Sequence, residues 1–175
     1  MKKNEQMRFS DRKRVELPFR WPDIPMNIVL VTPSIPPNTG NISRLCAATG
    51  SRLHLVEPLG FEISNSRLRR AGLDYWDAVN LTVYPDFETF LQQNPSDRTF
   101  FFTTAGKRSF HEVKFEPGDY FIFGNETYGL PDEILDAQPA ANILNIPVKL
   151  DCVRSLNLSN CAAIVLYESL RQCNT

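Results

Sequence analysis

Six short runs rich in β-branched and aromatic residues alternate along this chain with stretches of helical or polar character. They are Met26–Val31, Arg52–Val56, Val79–Tyr84, Thr99–Thr103, Tyr120–Phe123 and Ile143–Ile146. Short apolar runs bounded by turn residues read as buried strands. Between them, Asn41–Thr49 has helical period, with Ile42, Leu45, Cys46 and Thr49 on one face and Asn41, Arg44 and Ala48 on another. Ser64–Gly72 is a basic helix start, Asp86–Gln93 a short helix with Asp86 as candidate N-cap, Pro131–Ala137 a helix opened by proline, and Asn157–Gln172 the last helix. Lys107–Lys114 reads as loop or short helix. Strands alternating with helices predict an α/β fold, a mostly parallel six-stranded sheet with helices on both faces.

At 175 residues the chain suits one domain with a real core. Residues 1–25 lack apolar period, are rich in proline toward their end, and read as a flexible N-terminal arm; the domain spans 26–175. The arm carries a charge of +3 and the remainder −4, so RNA binding would need a local patch. No apolar run is long enough for a membrane span, and the charged N-terminus lacks the apolar core of a signal peptide, so a cytoplasmic protein is expected. Cys46, Cys152, Cys161 and Cys173 show no C-x-x-C pairing; reduced thiols are expected, with neither zinc nor disulfides.

Three stretches carry candidate chemistry: Pro33–Gly50, Phe121–Pro131 and Ile146–Asn160. In the first, Pro33, Pro36 and Pro37 are expected to hold the chain extended, with a tight turn at Gly40. The second runs from an apolar strand into Gly124, which permits close backbone approach, and Glu126, an acceptor beside bare backbone. The third joins a strand end to a helix start through Ser155, Asn157, Ser159 and Asn160, residues that also serve as ordinary N-caps. Strand-to-helix junctions place ligands because backbone N–H groups there lack partners. The dinucleotide, Walker A, G-x-S-x-G and HExxH motifs are absent, and His54 and His111 lack metal-like spacing, which reads as surface or packing roles.

The segments PPNTGNI–R–LCA–TG, RLRRAGLDY, FG–ET–GLP and RS–NLSN together resemble the motifs of the SPOUT superfamily of RNA methyltransferases, SpoU branch, over about Met26 to Arg171. Within it they are most similar to the small enzymes that 2'-O-methylate the tRNA wobble nucleotide, cytidine or uridine 34. The resemblance implies a C-terminal deep trefoil knot, S-adenosylmethionine as cofactor, tRNA as partner through its anticodon region, and a homodimer through the C-terminal helix with Tyr167 at the interface. It implies cofactor contacts at Phe102, Gly124, Ile146 and Ser155 and a catalytic role for Arg44, with Asn41 on the same helix face to hold the arginine or the ribose. Arg67, Arg69 and Arg70 become candidate phosphate contacts; Arg52, Lys107, Arg108 and Lys114 are further candidates, and Tyr75, Trp76 and Tyr128 could stack on an unpaired base. The chain departs from the family at Tyr128, where arginine is frequent, and carries one extra residue between Pro147 and Arg154. Two other readings stay open at this point: the same chemistry at another tRNA or rRNA site, and an RNA-binding protein of this fold without catalysis.

Overall fold

The computed structural model describes residues 15–62, 78–149 and 153–174. Seven strands form one parallel sheet: β1 (Asn27–Val31), β2 (Arg52–Val56), β3 (Asn80–Tyr84), β4 (Thr99–Phe102), β5 (Arg108–Ser109), β6 (Tyr120–Phe123) and β7 (Ile143–Asn145), in the order β3-β2-β1-β6-β4-β7-β5. The helices are α1 (Pro36–Thr49), α2 (Phe87–Gln93), α3 (Asp132–Asp136) and α4 (Leu158–Cys173).

Alternation along each strand sends side chains to two cores. Ile28, Leu30, Leu53, Leu55, Phe121 and Phe123 pack with α1 and α4 through Ile42, Cys46, Val165 and Leu166. Val29, Val31, Val56, Phe101 and Ile122 pack on the other side with Phe90 of α2 and Leu130, flanked by Ile134 and Leu135 of α3. A sheet covered on both faces needs apolar residues at successive positions, which is why these strands read as continuous runs.

The expected six strands become seven. β5 has two polar residues, too few to show a period, and is defined only by its pairing with β7. Gly106 makes the approach possible, because a Cβ there would lie 2.7 Å from the Leu144 carbonyl carbon and oxygen. The N-terminus of α1 also differs from expectation. Pro36 and Pro37 lie inside its first turn and Gly40 inside the helix. First-turn N–H groups have no intrahelical acceptor, so proline loses nothing there. Ser64–Gly72 lies outside the described residues.

A buried polar relay ties the β3 side of the sheet to its middle. Asn94 Nδ2 donates to Tyr84 Oη (3.1 Å), which lies 3.0 Å from His54 Nδ1, while His54 Nε2 lies 3.2 Å from Asn27 Oδ1 and Asn27 Nδ2 donates to the Gly118 carbonyl. A neutral ring protonated at Nε2 satisfies the whole chain. Burial, reinforced by the charge of Arg52, lowers the His54 pKa to about 4. On the other side of β1, Arg98 grips the buried Asp119 carboxylate with two nitrogens, at 2.5 and 2.9 Å. Of the arm, Phe19 packs against the larger core and the Arg20 N–H donates to Asn174 Oδ1 at 2.7 Å.

Candidate functional site

The order of the sheet reverses around β1, which has β2 and β3 on one side and β6, β4 and β7 on the other. In open parallel sheets the crevice beyond the strand C-termini at such a reversal accepts ligands. The loops following β1, β6 and β7 carry the three stretches singled out in the sequence, and polar side chains join them.

Glu126 is the first tie. Its carboxylate accepts from Ser34 N (2.9 Å), Ser34 Oγ (3.0 Å), Ile35 N (3.2 Å) and Asn38 Nδ2 (3.1 Å). Burial works to raise its pKa, but the donors from Ser34 and Asn38 outweigh that and hold the carboxyl below its usual range. The N-cap of α1 is Ile35, which offers no side-chain acceptor. A carboxylate from a distant loop therefore stands at the N-terminus of that helix, where the helix dipole favours negative charge.

Asn38 is the second tie. While its amide nitrogen donates to Glu126, its Oδ1 accepts from Asn157 Nδ2 at 2.9 Å. Asn157 Oδ1 in turn accepts from Ser159 N and Oγ at 2.9 and 2.7 Å, capping α4. Glu126, Asn38 and Asn157 thus form one hydrogen-bonded chain through all three stretches. Beside it, Asn125 Nδ2 donates to the Thr32 carbonyl at 2.7 Å. Thr39, the next residue after Asn38, has a buried Oγ1 with no hydrogen-bond partner among the described residues.

The candidate residues distribute around this junction. Phe102 is buried and stacks on Phe123, ring centroids 4.9 Å apart. Ile146 is half-buried against the same core, and Ser155 is exposed in the segment leading to α4. Gly124 is buried, and its missing side chain serves the protein's own backbone: a Cβ would lie 2.1 Å from the Gly129 carbonyl carbon. Asn41 and Arg44 are exposed on α1, and Arg44 lies six residues beyond Asn38, about 9 Å along the helix axis. Arg67, Arg69, Arg70, Tyr75 and Trp76 lie outside the described residues. Arg52 opens β2, at the end of the sheet away from the junction. Arg108 is engaged with the Ala141 and Glu112 carbonyls. Among the described residues no cluster of His, Cys, Asp and Glu suits a metal, and no helix is long and apolar enough to cross a membrane.

The linking role of Asn38 was missed in the sequence. Its signal was its place in the PPNTGN segment, where proline and glycine drew the reading toward a turn. Chemically, the junction sets hydrogen-bonding groups next to core residues: Phe102 and Leu144 are buried in the larger core, and only Ile146 is partly accessible. Such a combination suits a ligand with a flat heterocycle and a polar tail.

Known proteins resemble this chain in sequence and in fold. The pattern of the SpoU rRNA Methylase family matches residues 25–167. A tRNA (cytidine(34)-2'-O)-methyltransferase of Escherichia coli is 51% identical over 147 residues, covering 84% of this chain and 93% of the relative. One of the same description from Saccharophagus degradans is 51% identical over 146 residues, covering 83% and 94%. A solved structure described as giving insight into 2-OH methylation of C/U34 on tRNA superposes with a TM-score of 0.78 at 44% identity, covering 85% of this chain and 96% of that one. The SpoU methyltransferase AviRb of Streptomyces viridochromogenes, solved with the cofactor AdoMet, shares the fold at TM-score 0.72 and 21% identity, covering 93% of this chain and 60% of that one.

Proposed function

This chain belongs to the SpoU rRNA Methylase family, and from that premise we propose that it methylates the ribose 2'-hydroxyl of wobble nucleotide 34, cytidine or uridine, in tRNA. The observation that carries the reading is 51% identity to the E. coli enzyme across nearly its whole length. The joining of the three motif stretches through Asn38 supports it.

S-adenosylmethionine, when bound, supplies a methyl carbon already activated by its positive sulfur. The residues present fit that group in kind: Phe102 and the partly exposed Ile146 offer apolar surface to an adenine, and Thr39, next to Asn38 in the chain, has a buried Oγ1 without a partner among the described residues. Phe102, Gly124, Ile146 and Ser155 are the residues assigned to hold it. Arg44 orients the ribose and its phosphate and stabilises the oxygen as it gains negative charge; Asn41 supports the arginine or the ribose. A guanidinium is almost never a free base near neutral pH, so a substrate phosphate or another group takes the proton. Arg67, Arg69 and Arg70 are assigned to phosphate contacts. A trefoil knot, a homodimer through α4 and a cytoplasmic location complete the proposal.

Purified protein, labelled S-adenosylmethionine and tRNA from a strain lacking this modification test it. The label is expected at the 2'-oxygen of nucleotide 34. Arg44→Ala is expected to lower the rate at least ~100-fold while cofactor binding persists. A label elsewhere, or full activity in the variant, overturns the assignment; RNA binding without transfer favours the non-catalytic reading.

A further inference from the structure

The turn that carries Glu126 also carries the most exposed aromatic ring among the described residues. Tyr128 is 78% exposed. A ring in water leaves unused a large apolar area that an aromatic side chain ordinarily buries. An isolated exposed ring needs no explanation by itself, but the backbone beneath this one is unusually constrained. Asn125 and Gly129 exchange backbone hydrogen bonds at 3.0 and 2.9 Å. Asn125 Oδ1 accepts from Thr127 N at 2.8 Å and Tyr128 N at 3.4 Å. Gly124 and Gly129 meet too closely for a Cβ to intervene, and Glu126 is held by Ser34, Ile35 and Asn38. The turn is therefore tied at both ends and at its middle.

The surroundings repeat the theme. Each of the three joined stretches presents an exposed apolar side chain: Ile35 at 42%, Tyr128 at 78%, and Val148 and Val153 at 41% and 51%. Apolar groups around a polar junction suit the flat face of a base better than a phosphate. A tyrosine has only two side-chain torsions, so ordering it on a fixed turn costs little entropy.

We propose that Tyr128 is a positioning residue that stacks on an unpaired anticodon base beside the ribose being methylated. This rests on the proposed function, because that reading places an anticodon at the site. Stacking on an aromatic ring tolerates any base, since every base has a π-face. The ring thus orders the loop, and the choice of nucleotide falls to other contacts.

The test uses the full chain and an anticodon stem-loop RNA carrying 2-aminopurine next to nucleotide 34. Binding to wild-type protein is expected to quench the fluorophore. Tyr128→Ala is expected to remove the quenching and to raise the Kd and KM for RNA about tenfold, with kcat within twofold and cofactor affinity unchanged. Tyr128→Phe and Tyr128→Trp are expected to restore both quenching and KM, which a purely structural role would not require. Unchanged RNA binding in Tyr128→Ala overturns the proposal. So does a change in solution mass, which would place the ring between two copies of the chain. If wild-type protein binds and quenches the stem-loop without methylating it, the function assigned above fails while the stacking role stands.

Discussion

Asn38 holds the junction with two opposed polarities. Its amide nitrogen needs an acceptor at Glu126 and its amide oxygen a donor at Asn157. Alanine removes both bonds and leaves Glu126 short of a donor, a loss of ~2 kcal/mol. Aspartate is nearly isosteric but brings a second carboxylate against the first. Asn38→Asp is therefore expected to be less stable than Asn38→Ala at pH 7 in urea denaturation, and to bind cofactor more weakly. The gap between the two variants should narrow as pH falls through the carboxylate range, because repulsion raises the pKa of one carboxyl of the pair and it takes a proton first. A constant gap across that range would remove charge repulsion as the cause. The carboxylate of Glu126 has its own acid limit: its pKa is held low, so its stabilising contribution is complete above the ordinary carboxylate range and is lost only as pH falls through its folded value.

Among the elements, β1, β2, β3 and the end of α2 are linked by the His54 relay. Unfolded histidine takes up a proton near pH 6.5, whereas this ring resists protonation until about pH 4. Between those values the unfolded chain binds more protons. Stability therefore falls as pH drops from about 6.5 to 4, by up to ~3 kcal/mol from this group, and the contribution levels off below. Denaturation of wild type and His54→Leu at pH 7, 5.5 and 4 checks this; the variant should be weaker at pH 7 but flatter in pH. Equal slopes would show that the ring titrates normally. The same elements show what local sequence conveys. Six strands were legible to within a residue: β1, β2, β4 and β6 because their runs are unbroken and buried on both sheet faces, β7, which ended one residue short of expectation, and the edge strand β3, which is largely exposed. The strand β5 was not legible, because pairing alone defines it. The start of α1 was misread because proline is a breaker inside a helix but welcome in its first turn. The junction itself was only half legible. Its stretches were evident, but the bonds joining them cross 88 and 119 residues, and no local spacing encodes a bond of that range.

At the scale of the molecule, α4 is expected to be the meeting point of two copies. Ala162, Val165, Leu166, Ser169 and Leu170 face the core, while Ile164 and Tyr167 are 39% and 53% exposed. A helix apolar beyond its buried face has surface to hide. Tyr167→Arg is expected to shift sedimentation from dimer toward monomer with little loss of fold by circular dichroism. A wild-type protein that sediments as a monomer would refute this. The relatives of this chain are covered almost end to end, yet its own first residues fall outside the family match, which begins at residue 25. Part of that extra stretch is nonetheless fastened to the body, by Phe19 in the core and by Arg20 on Asn174.

The bond between Asn38 and Asn157 spans 119 residues and closes the junction from the far end of the chain. During synthesis Asn38 is made first, Glu126 follows 88 residues later, and Asn157 comes last, 119 residues after Asn38. A nascent polypeptide that has not yet released Asn157 already holds the sequence of all seven strands but cannot complete the junction, so competence comes only after the whole sheet has been made.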